Sequence, residues 1–340
     1  MSEVPSSRFG ERGARSRAWR PTLVVVGALL VVGGFAVSIA TEFMWFQSVD
    51  AVSVFTTNLA SRWGLLLSVW LLTAAAIFAA INLAWRSRPQ LALGAQPSSV
   101  ERYRLMFEPI RARVTFVISL VLGFFAGSSA ASQWQTVQLY LNRADFGDKD
   151  AQFGRDISYF VFTYPFQRFL LSVGFSIVIS AIIASVVTHY VAGSINLQAR
   201  GTDRLGGGVK RQLSLMIGGL LLLKAAAYRL DQFGLALRDS DLLTGLKFAD
   251  VHAQLPAQQI LVGVALVCSA LFFVAAFRGS LRLPVLSLAL LAGVSILVGG
   301  VYPSVIQQLQ VKPSELVREA PYIQRHIDAT RKAYGIDKVQ

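Results

Sequence analysis

The sequence predicts an all-α integral membrane protein with seven transmembrane helices, the N-terminus inside, the C-terminus outside and a short extracytoplasmic helical tail. Three observations lead there. Hydrophobic residues make up 54% of the 340 and charged residues only 15%, a balance found in membrane proteins. Apolar runs recur at 22–40, 63–85, 114–134, 169–191, 213–230, 260–277 and 283–301, and about 18 or more such residues suffice for a helix to cross a hydrocarbon core of roughly 30 Å. The net charge of +13 sorts by loop, which in a membrane protein is a statement about topology.

Taken in order, residues 1–21 set Arg8, Arg12, Arg15, Arg17 and Arg20 among Ser and Gly. They read as a disordered cytoplasmic tail with no apolar surface to bury. The run 22–40 follows. A basic region, an apolar core and Ser38-Ile39-Ala40 also have the make-up of a signal peptide, but the core is long for one, so the span is expected to stay as an anchor. Met44, Trp45 and Phe46 place aromatics where an interfacial belt belongs.

The remaining runs alternate between two sides. With the N-terminus inside, the tail, 86–113, 192–212 and 278–282 hold 17 Lys/Arg against five acids. The opposite segments, residues 302–340 included, hold 13 against 14. That asymmetry follows the positive-inside rule and assigns the basic excess to topology rather than to nucleic acid. Within the third run Ser119, Gly123, Gly127 and Ala131 recur every four residues. This small-residue face lets another helix backbone come close, and packing inside the bundle is its expected use.

The connection 135–168 is dense in aromatics, from Phe146 and Phe153 to Tyr164 and Phe166. A short interfacial element over the outer mouth is expected there. Residues 302–340 read as an extracytoplasmic helical segment, opened by Pro321 and closed by Gly335, with Ile323, Ile327, Thr330 and Tyr334 on one face. A lone helix of that length is marginal in water, so it needs a surface to pack on and looks like the start of a larger outer domain.

The sharpest candidate site is the polar stripe on the fifth run. Lys224 lies about 17 Å along a span entered at Leu213, just past the midplane, and Tyr228 and Asp231 share its helical face. An ionisable residue at that depth faces protein, water or a counter-charge. A charge-lined pocket for an anion, a proton or a lipid headgroup competes with snorkelling and a structural pair between Lys224 and Asp231 or an outer-loop carboxylate; the structural pair is expected.

Other motifs point to no reaction. Asp145, Asp148, Asp150 and Asp156 begin like a calcium loop but lack the central Gly and closing Glu at the required spacing. A loop pinned by Arg143, Lys149 or Arg155 is expected instead. His189, His252 and His326 lie in separate segments, unlike zinc ligands. Gly206-Gly207-Gly208-Val209-Lys210 lacks the outer Gly and the Ser/Thr of a phosphate loop and reads as a flexible turn. The single Cys268 sits in an apolar run. No nucleophile elbow is present. No enzyme activity, metal or cofactor is expected.

Four stretches carry a resemblance: FGDKDAQFGRDISYFVFTYPF (146–166), AAAYRLDQF (225–233), FADVHAQLPAQQIL (248–261) and YPSVIQQLQVKPSELVREAPYIQRHIDATRKAYGID (302–337). Together they resemble uncharacterised protein family 0182, a group of bacterial integral membrane proteins. The resemblance implies seven membrane helices followed by a large extracytoplasmic region, and it supplies no catalytic residue. It places the chain in the bacterial plasma membrane as a multi-pass protein, with the sequence ending where the outer region is expected to begin.

Two functional expectations follow. The first is a non-enzymatic membrane anchor or assembly component that holds an extracytoplasmic domain or partner on its outer face, with membrane lipid around it. The second is a transporter or channel-like protein using the Lys224, Tyr228, Asp231 stripe. The shortage of other intramembrane charges and of inverted repeats weighs against it.

Overall fold

The computed structural model describes residues 15–87, 108–195, 205–239, 244–279 and 282–336. The described residues are helical throughout apart from short turns and two isolated bridges, Lys149 with Asp156 and Ile195 with Leu205. Seven helices are long and apolar enough to cross a membrane.

The chain divides into two compact units, Met1–Ser61 and Arg62–Gln340. In the first, α1 (Arg15–Ser48) turns into α2 (Val52–Arg86). Asp50 makes the turn with φ of 54°, an αL conformation that Asp tolerates better than most residues. Phe43 and Phe46 each pack against Phe55 across it. The expected tail 1–21 lies outside the described residues up to residue 14. From Arg15 onward it is helical, because a helix nucleated in the apolar run propagates outward at little further cost.

The second unit contains the rest of α2, then α3 (Arg111–Ala131), α4 (Trp134–Leu141), α5 (Tyr164–Val191), α6 (Gly207–Gly234), α7 (Leu255–Arg278), α8 (Arg282–Ile296), α9 (Tyr302–Ile306) and α10 (Glu315–Ala333). Helix α4 is the short element in the aromatic connection. Gly207 and Gly208, expected in a flexible turn, form the first turn of α6. A Cβ on Gly208 would lie 2.3 Å from that of Ser87, so glycine is required there by close approach.

Helices extend beyond the apolar runs because hydropathy marks the lipid-immersed stretch, not the end of backbone hydrogen bonding. At several ends the extension passes through a π-helical turn: Tyr159–Thr163, Asp250–Gln254, Leu297–Val301 and Gln307–Val311. Each turn is followed by a proline: Pro165, Pro256, Pro303 and Pro313. A proline cannot donate to the carbonyl four residues back, and its ring pushes that carbonyl away. Those carbonyls belong to Val161, His252, Gly299 and Leu309, the middle residues of the four turns. The wider turn accommodates the displaced carbonyl while the helix continues.

Small residues set the interhelical distances. Gly123 and Gly127 of α3 lie on the backbone of α2, where an added Cβ would come within 2.8 Å of Trp70 O and 2.5 Å of Leu66 O. The close approach lets the Trp70 indole N–H donate to Leu120 O at 2.8 Å. Burial on α3 follows Thr115, Ser119, Gly123, Gly127 and Ala130, and the expected Ala131 is only half-buried. A strict spacing of four drifts about 40° per step around a helix of 3.6 residues per turn, so Ala130 takes the last inward position.

Gly218 of α6 receives the Phe273 ring, and Ser269 donates to Gly218 O at 2.8 Å. Leu221, Cys268 and Phe272 form the core between α6 and α7, and Cys268 Sγ reaches Ser287 O of α8 at 3.2 Å. A second polar tie holds three helices. Gln212 of α6 donates to Ala80 O of α2 and Ser185 Oγ of α5, each at 2.9 Å, and its Oε1 lies 3.0 Å from His189 Nε2. All three side chains are buried.

Helix α10 departs from expectation at its start. It opens at Glu315, and Pro321 lies inside it. Pro321 leaves the Val317 carbonyl without a donor, and Val317 is 79% exposed, so that carbonyl can be solvated instead. The end is as expected: Gly335 has φ of 66°, with Gly335 N–H on Lys332 O and Ile336 N–H on Arg331 O, a Schellman closure. The packed face is different. Glu319 is buried while Tyr334 is 79% exposed, so the buried contacts of the helix lie in its first half.

Candidate functional site

The C-terminal end of α6 and the N-terminal end of α5 lie together, beside the loops 142–158 and 244–254. The predicted stripe is found here, but divided. Lys224 Nζ stands 4.4 Å from the centre of the Tyr228 ring, one helical turn on, where a cation meets the negative face of the π-system. Asp231 takes a different partner, accepting from Arg168 Nη1 of α5 at 2.7 Å. The expected Lys224–Asp231 pair is therefore corrected. Two turns of helix separate these residues, whereas antiparallel packing of α5 on α6 sets Arg168 directly opposite the carboxylate.

Aromatic packing rigidifies this end. Tyr159, Phe160, Tyr164 and Phe233 form a buried cluster with Phe153 and Leu230 around it. The Arg155 guanidinium covers Tyr159 at 4.4 Å and Phe233 at 4.7 Å. Tyr159 donates its hydroxyl proton to Gln167 Oε1 at 3.0 Å, and Arg229 is tied to Gln232. Tyr164 of the cluster also lines a cavity of about 460 Å³ whose polar lining includes Ser129, Gln133, Thr136, Arg168, Ser172 and Ser176. Arg168 thus faces both a carboxylate and a cavity.

The acidic loop is pinned by its own backbone and, of the three basic residues expected to hold it, by Arg155 through Tyr159 and Phe233. Asp156 accepts the N–H groups of Phe146, Gly147 and Ser158 at 3.1, 2.9 and 2.8 Å, and Asp150 accepts those of Gln152 and Phe153 at 2.9 and 2.7 Å. Hydrogen bonds from the Ser158 hydroxyl and backbone, then from Phe146 and Gly147, hold the Asp156 carboxyl down at about 2. These carboxylates serve as turn caps. The histidines occupy three separate places: His189 on Gln212, His252 stacked on Phe248 at 4.1 Å, and His326 on α10.

The same loops hold α10. Glu319, buried, accepts the Phe248 N–H with both carboxylate oxygens at 3.3 and 3.0 Å. Arg318 lies over the Phe248 ring at 4.8 Å. Farther along, Arg325 donates to Gln152 Oε1 at 3.2 Å, and Lys332 pairs with Asp148. Sequence reading missed Arg168 and Glu319. For Arg168 the available signal was an arginine at the entry of one apolar run and an aspartate at the exit of the next. Glu319 had no local signal, since its partner is a backbone N–H 71 residues away.

A family model described as Uncharacterised protein family (UPF0182) matches residues 19–340. The chain belongs to this family. Among UPF0182 relatives, a protein of Streptomyces coelicolor is 38% identical over 342 residues, covering 99% of this chain and 34% of its own length. One from Frankia alni is 43% identical over 300 residues, 88% of this chain and 29% of the relative. One from Rhodococcus opacus is 40% identical over 345 residues, 100% of this chain and 35% of the relative. The chain thus spans about a third of the length of the curated UPF0182 relatives it matches. No solved structure matches it.

Proposed function

We propose that this UPF0182 chain is a non-enzymatic, multi-pass membrane anchor in the bacterial plasma membrane. Its N-terminus is inside, and the end bearing loops 142–158 and 244–254 faces outward as a platform for an extracytoplasmic domain or partner. The observation that carries this reading is the docking of α10. Glu319 is buried on the backbone of one loop, and Lys332 and Arg325 reach the other. A helix emerging from the last span is thereby fixed in direction, as the base of an outer region must be. The length of the relatives outside the matched stretch supports the same reading, as does the basic excess on the opposite loops.

The test is capture of the tagged protein from its own membranes in mild detergent, with intact-mass analysis of everything retained, in wild type and in Glu319→Ala with Lys332→Glu. The wild type should hold its outer region or partner stoichiometrically, and the variant should lose it, or expose the junction at α10 to protease, with the bundle intact. Retention and protection unchanged in the variant would overturn the reading. A transporter is the second reading, favoured by the polar cavity beside Arg168. Under it Lys224→Met or Arg168→Met abolishes solute flux in vesicles; under the anchor reading neither changes flux, and Lys224→Met also leaves partner capture unchanged.

A further inference from the structure

A second cavity, of about 380 Å³, lies between the α6–α7 connection and the end of the last long helix; its lining includes Arg238, Lys247, Asp250, Gln307, Gln308 and Lys312. Three of these six are cationic and one is an acid, and the acid is already engaged. Asp250 is buried; its Oδ1 accepts from Arg238 Nη1 at 2.9 Å and its Oδ2 from the Lys247 backbone N–H at 3.0 Å. That pairing fixes the guanidinium at the cavity wall and leaves the ammonium groups of Lys247 and Lys312 without a carboxylate among the described residues. The amides of Gln307 and Gln308, on the π-helical turn that precedes Pro313, add neutral donors. The remainder is a compact positive pocket.

Its depth identifies the ligand class. From Leu283, about 20 residues at 1.5 Å each exhaust a core of roughly 30 Å near residue 302. The next five residues then cross the layer of about 5–8 Å that headgroups occupy. Pro303, Ser304 and Gln307, all on the cavity wall, fall in that layer, and the Lys312 backbone lies about 7.5 Å farther out.

We propose that this cavity binds the phosphate of an anionic phospholipid headgroup at the outer surface. Two ammonium groups and an oriented guanidinium match a tetrahedral oxyanion. The lipid is preferred to a dissolved phosphate because the pocket opens at headgroup depth. The proposal rests on the seven-span reading above, which extraction checks separately: a spanning chain stays in membranes washed with alkaline carbonate and leaves them in detergent.

The binding test is native mass spectrometry of the full chain in detergent, titrated with phosphatidylglycerol, with zwitterionic phosphatidylcholine, or with inorganic phosphate. Phosphatidylglycerol should be retained in preference to phosphatidylcholine. Each cation near an anionic headgroup contributes enough to change affinity about fivefold, so Lys247→Gln with Lys312→Gln should weaken retention about 25-fold. Lys247→Arg with Lys312→Arg, and Lys210→Gln at the start of α6, should bind as the wild type does. If the Gln pair fails to fold, Lys312→Gln alone, on an exposed side chain, makes the comparison at about fivefold. A folded Gln variant that retains phosphatidylglycerol undiminished, or a wild type that does not distinguish the two lipids, overturns the site. Displacement of bound lipid by inorganic phosphate at equal concentration overturns the lipid assignment in favour of a free anion.

Discussion

Replacing Gly127 by alanine tests the helix contact on which α2 and α3 are built. The new Cβ would lie 2.5 Å from Leu66 O, 2.9 Å from Trp70 Cβ and 3.1 Å from Trp70 N. Two of these atoms are backbone, so no rotamer change relieves the contact, and the helices must separate by close to an ångström. Overpacking of this kind costs about 1–3 kcal/mol. Separation also stretches the Trp70 Nε1–Leu120 O hydrogen bond of 2.8 Å, worth about 0.6 kcal/mol between membrane helices. Alanine returns about 0.5–1 kcal/mol through its better helix propensity. The net expectation is a loss of roughly 0.6–3 kcal/mol. Gly263 in α7 is the matched control: nothing lies within 4 Å of its added Cβ, so Gly263→Ala should be neutral or stabilising. Reversible unfolding in mixed micelles, followed by tryptophan fluorescence, measures both. A Gly127→Ala protein as stable as Gly263→Ala would refute the close-approach argument.

Two further outcomes are expected. The Asp156 carboxyl is held near 2, below the value of about 3.9 for an unfolded aspartate. The stability it lends loop 142–158 is therefore complete above about pH 4 and lost as pH falls toward 2; pepsin should nick the loop only near the acid end of that window, whereas Asp156→Asn should be nicked throughout it, and equal cleavage of both proteins would count against the capping role. Gln212→Leu strands Ala80 O, Ser185 Oγ and His189 Nε2 in a buried site, which should lower stability by roughly 2–4 kcal/mol; a loss below about 0.5 kcal/mol, typical of a surface change, would show that the tie is dispensable.

What was legible in the sequence was what one element announces by itself. An apolar run must be a helix in lipid, because no other local structure satisfies its backbone, and seven such runs became seven long helices. Gly335 announces a left-handed closure by the same local logic. The partner of a charge is not local. Lys224 and Asp231 share a face of α6, yet the carboxylate belongs to Arg168, because pairing depends on how α5 is set against α6. The buried face of α10 was misread for a related reason: its apolar residues were assumed to lead, whereas a carboxylate received by the Phe248 N–H decides the orientation. Three of the π-helical turns were in principle readable, since each precedes a proline within four residues of an apolar run: Pro165, Pro256 and Pro303. Hydropathy ended the helices too early for those prolines to be considered within them.

The distribution of polar contacts separates the two functional readings more sharply than any one residue does. A substrate path needs groups that can exchange partners along the length of a bundle. Here the charged pairs Arg168–Asp231, Arg238–Asp250 and Lys332–Asp148 all belong to the end that carries the loops. Glu319 on the Phe248 N–H belongs there too. At the opposite end the Gln212 tie joins three helices through amide, hydroxyl and imidazole groups. Between the two ends the helices meet through glycine, serine and aromatic contacts, and Lys224 has turned to its own neighbour Tyr228. Under the anchor reading, such an arrangement would hold α5, α6 and α7 together and orient an outer region standing on them. It is the distribution expected of a platform, and it makes unimpaired partner capture in Lys224→Met a more telling result than any change in flux.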